Sequence, residues 1–294
     1  MNKKIFECVL DGITIDRYVR SESLVMPDMH FHPEFEIYYM FNGERYYFIE
    51  NKTYPVRKGS LVLIDSMQIH KTSVLGKDFH DRFLIELNNE PFSSFFQNIS
   101  GMSVAEFFAE YSCVMELDEQ TQHWIECRLN DIMDEAEKKL ENYSMFIMLK
   151  IAEILLFVRR FHRDRLIPAS LSMSKKSKHH VINEIAAYIT KGDIKVKSLD
   201  EISRHFFISK SYLCRIFKEV TGFTVQDYIN IHCVKKAQQL LEQNDLSIAD
   251  ISKNLGFTSV TYFERVFKKY TEATPFQYRK KHRIINQKIR KKQQ

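Results

Sequence analysis

A repeat of about fifty residues near the end of the chain limits its possible folds more than any other feature. One copy runs from Ser198 to Lys218 and the other from Ser247 to Lys268. Equivalent residues lie 49 positions apart where the copies begin and 50 apart where they end, so the second copy has one extra residue in its middle. Self-similarity at a fixed period predicts two copies of one supersecondary unit.

Each copy has the pattern of a helix, a short turn and a second helix. Ser198 and Ser247 can cap the first helices, and an acidic residue follows each serine three positions later. Ser209 and Ser259 can cap the second helices in the same way. Gly256 suits the turn of the second copy, because glycine tolerates a positive φ. Both copies therefore predict a helix-turn-helix unit.

The second helix of each copy has one apolar side and one free face. The apolar sides are formed by Leu213, Ile216 and Phe217 and by Phe263, Val266 and Phe267. The free faces carry Lys210, Ser211, Cys214, Arg215 and Lys218 in the first copy and Val260, Thr261, Glu264, Arg265 and Lys268 in the second. Arginine can pair with guanine and glutamate with cytosine, so these faces predict base reading in the major groove. The alternative is that they are ordinary solvated residues on short helices.

A helical stretch, Val225 to Gln243, joins the two units. Its 19 residues correspond to about 28 Å of α-helix. Successive major-groove faces on one side of B-DNA are about 34 Å apart. One protomer is therefore expected to place both reading helices in neighbouring grooves.

From Val181 to Lys281 the chain resembles the AraC/XylS family of transcription regulators. The family's closing signature is found here as Gly256-Phe257, Phe263, Phe267-Lys268, Pro275 and Tyr278-Arg279. The resemblance implies that Ser211, Cys214 and Arg215 in the first unit and Thr261, Glu264 and Arg265 in the second read bases. It also implies double-stranded promoter DNA as a partner and, if the protein activates transcription, RNA polymerase.

Charge is divided unevenly along the chain. From His179 onward there are 21 lysines and arginines against 11 acidic residues, whereas the part before it carries a net charge of −5. A basic part beside an acidic one is typical of a protein in which one domain binds a polyanion. Residues 283–294 form a basic tail that we expect to contact phosphates without sequence preference.

The N-terminal part, from Phe31 to Ile85, has short aromatic and β-branched runs instead. Glu36–Phe41 and Arg45–Glu50 flank the pair Asn42-Gly43, which predicts a β-hairpin with its turn at that pair. Short strands of this kind close naturally into an antiparallel β barrel or jelly roll.

Within these strands, His30, His32, Glu36 and His70 stand at spacings that resemble the cupin motifs. The second motif is only partial, because Asp65 and Met67 replace its proline and glycine. In metal-binding cupins these four positions hold one ion, and three imidazoles with a carboxylate suit iron, manganese, nickel or zinc. Regulators of the family resembled commonly use the same barrel to bind an effector.

Three interpretations of this cluster remain open: an effector site, a structural histidine cluster and a metal site. The effector site is preferred, and no cofactor is expected. The effector-binding residues are predicted to be His30, His32, Glu36, Tyr38, Arg45 and His70. Tyr46 and Asp65 could also contribute, because strand register decides which side chains point inward. The resemblance suggests a carbohydrate as the effector.

Two amphipathic stretches, Glu119–Leu140 and Ser144–Phe161, predict a helical hairpin. It either packs entirely within one protomer or, as is common in the family resembled, pairs two protomers into a homodimer. A polar linker follows. The predicted domains are 1–164 for effector binding and dimerisation, 165–178 for the linker, 179–282 for DNA binding and 283–294 for the tail.

The predicted fold class is α+β: an N-terminal antiparallel β barrel of cupin-like jelly-roll type with a helical hairpin, then an all-α domain with two helix-turn-helix units. The predicted function is ligand-responsive, sequence-specific regulation of transcription. Lacking a secretion signal or a long apolar segment, the protein is expected in the cytoplasm, without membrane contact. The alternative is a metal-dependent cupin enzyme fused to a DNA-binding domain.

Overall fold

The computed structural model describes residues 2–21, 32–76, 79–88, 90–161, 177–191 and 197–281. The chain divides into two compact units, Met1–Lys175 and Lys176–Gln294. The first combines an antiparallel sheet with helices and the second is helical, which confirms the α+β class. Every helix in the described part of the chain is too short or too polar to cross a membrane.

The first unit is built on an eight-stranded antiparallel sheet. Its strands are β1 (Lys3–Leu10), β2 (Ile13–Arg20), β3 (Phe35–Ile49), β4 (Lys52–Arg57), β5 (Ser60–Ile64), β6 (His70–Val74), β7 (His80–Leu87) and β8 (Cys113–Glu116). The order is β1-β2-β7-β3-β5-β8, and β4 and β6 both pair with the second half of β3. The long strand β3 therefore belongs to two parts of the sheet.

The predicted hairpin at Asn42-Gly43 is wrong. Both residues lie inside β3, where the pairing with β7 shifts register between Met40 and Asn42. A β-bulge of this kind bends a strand without ending it, and Gly43 supplies the left-handed φ of 91° found there. The hairpin turn instead falls at residues 50–51, between β3 and β4.

Four helices cover one face of this sheet: α1 (Glu90–Ser100), α2 (Val104–Tyr111), α3 (Glu119–Lys138) and α4 (Tyr143–Phe161). Alternate strand residues such as Ile37 and Tyr39 share one core with residues of these helices. Their neighbours Tyr38 and Met40 point to the opposite face and pack in a second, smaller core. That opposite face is called the inner face below.

The predicted helical hairpin is present as α3 and α4, within two residues of the predicted ends. Leu140, predicted to continue the buried stripe, lies beyond the end of α3 and is 64% exposed. α1, α2 and β8 are not among the elements predicted from the sequence. The N-terminus of α2 nevertheless carries a recognisable signal, because Ser103 and Glu106 form a capping box.

The second unit contains α5 (Lys178–Thr190), α6 (Leu199–His205), α7 (Lys210–Thr221), α8 (Val225–Gln243), α9 (Ile248–Asn254) and α10 (Val260–Thr271). All four predicted caps are formed, each serine accepting from an amide three residues later. Gly256 has a φ of 77°, and Phe207 takes the equivalent left-handed position in the first copy with a φ of 53°. The predicted helix between the units is confirmed as α8.

Two predicted segments lie largely or entirely outside the described residues. The linker, 165–178, lies outside the described residues except for Ser177 and Lys178, which are the N-cap and first residue of α5. The basic tail, 283–294, lies outside the described residues altogether. Those boundaries stay predictions.

Candidate functional site

The inner face of the first unit brings together three of the predicted effector residues. Glu36 is the second residue of β3, His70 is the first residue of β6, and His32 lies just before β3. His32 Nε2 lies 2.6 Å from Glu36 Oε1, and His70 Nε2 lies 3.2 Å from the same oxygen. These three residues are called the histidine cluster. His30, the fourth, lies outside the described residues.

Hydrogen bonding fixes the orientation of His70 in this cluster. Its Nδ1 lies 2.8 Å from the carbonyl oxygen of Gln68, which can only accept, so Nδ1 carries a proton. Nε2 is then left to face Glu36. Burial alone would raise the pKa of the Glu36 carboxyl, but the charges and hydrogen bonds of His70 and His32 hold it far below its usual range.

The histidine cluster has the donor set of a metal site. Each of its three members offers a ligand atom within 4.8 Å of the others. Two imidazoles and one carboxylate suit a divalent transition metal, and a histidine oriented through Nδ1–H to a backbone carbonyl is common among such ligands. The residues present therefore fit a metal ion, although they equally form a hydrogen-bonded cluster by themselves.

Strand register settles which of the remaining candidates face inward. Tyr38 lies on the inner face, with its ring 5.3 Å from that of Tyr47, whose hydroxyl lies 3.4 Å from Glu36 Oε2. Burial raises the pKa of Tyr38 to about 12, so its hydroxyl remains a neutral donor at neutral pH. Tyr46 alternates with Tyr47 and Arg45 along β3 and so points away from the inner face.

A second polar group lies on the inner face, further along the strands. Arg45 is buried and donates to Nδ1 of His80, with Nη2 at 2.6 Å. Arg20 stands directly across from His80 in the pairing of β2 with β7. Arg82, two residues along β7, is also buried and forms an ion pair with Asp16. Arg20, Arg45, Arg82 and His80 are called the arginine cluster, and only Arg45 was predicted from the sequence.

In the second unit, the predicted reading faces of α7 and α10 are directed to solvent. The apolar sides are buried as predicted, with Leu213, Phe217, Phe263 and Phe267 fully enclosed. The exposed positions are Lys210, Ser211, Cys214, Arg215, Lys218, Thr261, Arg265 and Lys268, whereas Glu264 is half-buried. The two helices thus present equivalent surfaces.

Each reading helix holds one arginine in the same way. The guanidinium of Arg215 lies 5.3 Å from the ring centre of Tyr212, and that of Arg265 lies 5.3 Å from the ring centre of Tyr262. Stacking on an aromatic ring limits the positions that an arginine side chain samples. Lys210 is engaged differently, since its Nζ lies 2.5 Å from Asp200 Oδ1.

α8 fixes both reading helices from within the unit. The ring of Tyr228 packs edge-on against Phe217 of α7, with centroids 5.2 Å apart. In the second helix-turn-helix copy, Asp227 of α8 accepts from two residues of α10, Lys269 Nζ at 3.0 Å and the Tyr270 hydroxyl at 2.8 Å. Both reading helices, α7 and α10, are therefore attached to α8.

In comparisons with known proteins, each of the two units matches a different domain family. The sequence model of the AraC-like ligand binding domain matches residues 18–146, and that of the helix-turn-helix domain matches residues 202–281. The HTH-type transcriptional regulator YfiF of Bacillus subtilis is 26% identical over 85% of this chain and 78% of its own length. The melibiose operon regulatory protein of Escherichia coli is 23% identical over 87% of this chain and 84% of its own. Apo ToxT from Vibrio cholerae superposes with a TM-score of 0.41 at 15% identity, over 92% of this chain and 97% of that one.

Proposed function

Because this chain is an AraC-family transcription regulator, with an N-terminal ligand-binding domain and a C-terminal helix-turn-helix domain, we propose how it reads DNA and where its effector binds. α7 and α10 enter the major groove of promoter DNA, and a small molecule on the inner face of the N-terminal sheet controls that binding. The observation that carries the proposal is the pair of equivalent exposed faces on α7 and α10, both attached to α8.

Base reading is assigned to Ser211, Cys214 and Arg215 on α7 and to Thr261, Glu264 and Arg265 on α10. Lys210, Lys218 and Lys268 lie beside them and contact phosphates. Arg265 is the strongest candidate, because an arginine can donate two hydrogen bonds to guanine and is already oriented on Tyr262.

Replacing Arg265 by alanine tests this assignment. The variant should lose about 1 to 3 kcal/mol of binding to a duplex selected by the wild-type protein and should relax preference at one base pair. Lys236→Ala, which removes one exposed positive charge from α8, serves as the charge control and should keep base preference. Unchanged affinity and preference in Arg265→Ala would remove α10 as the principal reader.

Folding of the unit needs a separate control. Phe267 is fully buried between Phe263 and Tyr278, and truncating such a side chain costs about 3 to 5 kcal/mol. Phe267→Ala should lose both the thermal transition of the unit and all DNA binding. Arg265→Ala should keep the transition and still bind nonspecific DNA at low salt.

The effector site is assigned to the inner face, with His32, Glu36, Tyr38, Arg45 and His70 as contacts and His30 as a further candidate. The similarity to a melibiose operon regulatory protein supports a sugar-like ligand. Acting on promoter DNA, the protein works in the cytoplasm, and if it activates transcription its partner is RNA polymerase.

Homodimerisation is assigned to α4. An exposed apolar stripe supports it: Met145, Phe146, Leu149 and Leu156 are each 36–47% exposed and lie on the side of α4 opposite its buried residues. Beside the stripe a groove of about 820 Å³ runs between α3 and α4, lined among others by Trp124, Phe157 and Arg160. A second copy of α4 would fill it.

A metal-dependent enzyme fused to the DNA-binding unit is the second candidate, favoured by the donor set of the histidine cluster. Metal analysis of the purified protein separates the two. Near-stoichiometric metal that is lost in His32→Ala, but kept in a variant of the exposed His123 on α3, would favour the enzyme. Wild-type protein that contains no metal and still binds its DNA site would favour the regulator.

A further inference from the structure

We propose that a tyrosine followed three positions later by an arginine forms one guanine-reading element, which the DNA-binding unit uses twice. Tyr212 with Arg215 forms the element on α7, and Tyr262 with Arg265 forms the element on α10. In each element the tyrosine positions the arginine, and the DNA site carries guanine at equivalent positions of its two halves. This proposal rests on the proposed function, because it takes α7 and α10 as the reading helices. It adds two positioning residues and the base that both helices share.

The two reading helices share only part of their sequence. Of twelve aligned positions, five carry the same residue in α7 and α10: Tyr212 and Tyr262, Arg215 and Arg265, Phe217 and Phe267, Lys218 and Lys268, and Thr221 and Thr271. The phenylalanines are buried, and each threonine donates its hydroxyl to the carbonyl of the phenylalanine four residues earlier, so folding explains both pairs. Phosphate contact accounts for the lysines. The tyrosines need another explanation, because Tyr212 is 41% exposed and Tyr262 is only half-buried.

Both tyrosines hold their arginines in the same geometry. Residues three positions apart lie on the same side of a helix, and the guanidinium carbon lies 5.3 Å from the ring centre in each pair. At such a distance the face of an aromatic ring attracts a cation. Within the described residues, Tyr212 makes no other ring contact and its hydroxyl forms no hydrogen bond. Contact with Arg215 is therefore the role that the structure gives this side chain.

An aromatic ring holds an arginine without using its N–H groups. A carboxylate partner would accept from the same N–H groups that a base needs, and Arg215 and Arg265 form no ion pair in the described part of the chain. Guanine presents two acceptors, O6 and N7, to one arginine, and this pairing is the commonest specific contact of arginine with a base. A guanidinium that is already held in place also loses less freedom on binding. The tyrosine thus prepares the arginine for guanine and leaves its donors available.

The shared and the different positions together predict a feature of the DNA site. Beside the shared pair, Ser211 of α7 stands where α10 has Thr261, and Cys214 stands where α10 has Glu264. The two halves of the site should therefore agree at the guanine and differ at neighbouring base pairs. Both helices are attached to α8, and neighbouring major grooves are about 34 Å apart, so the two guanines should lie about ten base pairs apart.

Selection of DNA from a random duplex library by the full-length protein and its variants tests the proposal. The wild type should select two guanines about ten base pairs apart. Tyr212→Leu should lower the preference for one of them at least about three-fold, and Arg215→Ala should lower the preference for the same one further. Tyr262→Leu should act in this way on the guanine that Arg265→Ala affects. Tyr212→Phe and Tyr262→Phe should keep both preferences, because the ring remains.

Phe207→Leu is the matched control for the tyrosine variants. Phe207 lies in the turn before α7, is 95% exposed and, among the described residues, contacts no arginine. Loss of its ring should therefore leave base preference unchanged. Tyr212→Leu should keep the thermal transition of the wild type, because Tyr212 is exposed. A loss of preference with an unchanged transition then indicates that the tyrosine positions the arginine and is not needed for folding.

Guanine preference that survives in Tyr212→Leu and Tyr262→Leu would overturn the positioning role. An equal loss in the phenylalanine variants would also overturn it, because the effect would then belong to the hydroxyl group. Different bases at the two positions would overturn the shared element. Failure of the proposed function looks different, since Arg215→Ala and Arg265→Ala would then leave base preference unchanged as well. If the arginine variants relax preference and the tyrosine variants do not, the reading helices stand and only this inference fails.

Discussion

At the scale of single residues, Cys214 offers a direct chemical probe of the first reading helix. Its thiol is exposed on the proposed reading face, whereas burial raises the pKa of Cys113 and Cys233 to about 12 and keeps them protonated. Because the thiolate is the reactive form, N-ethylmaleimide should modify Cys214 in preference to those two. The added bulk should abolish binding to a selected duplex.

Cys214→Ser is the matched control for that experiment. It should bind the duplex and resist inactivation by the reagent, with the modified position identified by mass spectrometry. If the alkylated wild type bound its site with unchanged affinity, the exposed face of α7 would not enter the groove.

His179 makes the stability of the second unit depend on pH. It lies in the first turn of α5 and is 6% exposed, and burial together with the charge of Lys178 lowers its pKa from 6.5 to about 4. The unfolded chain therefore binds the proton more readily, so stability is lost as the pH falls through this range. We expect the free energy of unfolding to fall by about 1 to 3 kcal/mol.

A His179→Leu variant isolates this effect, since leucine stays buried and does not titrate. Chemical unfolding of both proteins at a series of pH values should show a slope between about pH 6.5 and 4 that is smaller in the variant. Parallel curves for the two proteins would show that His179 does not contribute.

Residue type and motif were enough to find part of the inner face. Arg45 was predicted because it lies close to the cupin-like motif, but Arg20 and Arg82 were not. They lie on β2 and β7, and they meet only because these distant strands pair. A partial local signal existed: in β2, Asp16 and Arg20 alternate with the buried Ile13 and Ile15, although Arg17 falls on the same face as the two isoleucines.

At the scale of elements, the bulge in β3 depends on Gly43. A Cβ at this position would lie 2.8 Å from the Cα of His80 and even closer to the carbonyl oxygen of Phe79, on a backbone with a φ of +91°. Gly43→Ala should therefore combine about 1 to 3 kcal/mol of backbone strain with a steric clash. Chemical unfolding measures the total decrease in the free energy of unfolding.

Gly101→Ala is the matched control for the bulge. Gly101 also has a left-handed backbone, with a φ of +77°, but a Cβ there would meet nothing within 4 Å. Its cost is the backbone strain alone, so the difference between the two variants measures the clash. Equal losses would mean that β7 gives way and the bulge is not tightly packed.

The helices of the repeat were predictable and the path of β3 was not, for a physical reason. A serine cap acts over three residues, so Ser209 and Ser259 mark their helices within the local sequence. Whether Asn42-Gly43 turns or bulges depends on whether β5 and β7 are available to pair, and both lie further along the chain. The local pattern favoured a turn, and the distant pairing prevailed.

At the scale of the whole molecule, the proposed dimer explains why α4 keeps an apolar stripe. Interface residues of this kind contribute most where they are central and desolvated, and Leu149 lies between Met145 and Leu156 on the stripe. Leu149→Arg should weaken self-association at least about ten-fold, because it would bury an unpaired charge.

Leu140→Arg is the control, since Leu140 is also apolar and exposed but lies between α3 and α4, off the stripe. Sedimentation velocity over a range of concentrations should give a weakened dimer for Leu149→Arg and an unchanged one for Leu140→Arg.

The Leu149→Arg variant should keep its thermal transition, because Leu149 is half-exposed in one protomer. It should also lose affinity for a duplex with two sites more than for a duplex with one, since pairing of protomers raises the effective concentration of the second DNA-binding unit. A Leu149→Arg protein that dimerises like the wild type would move the interface away from α4.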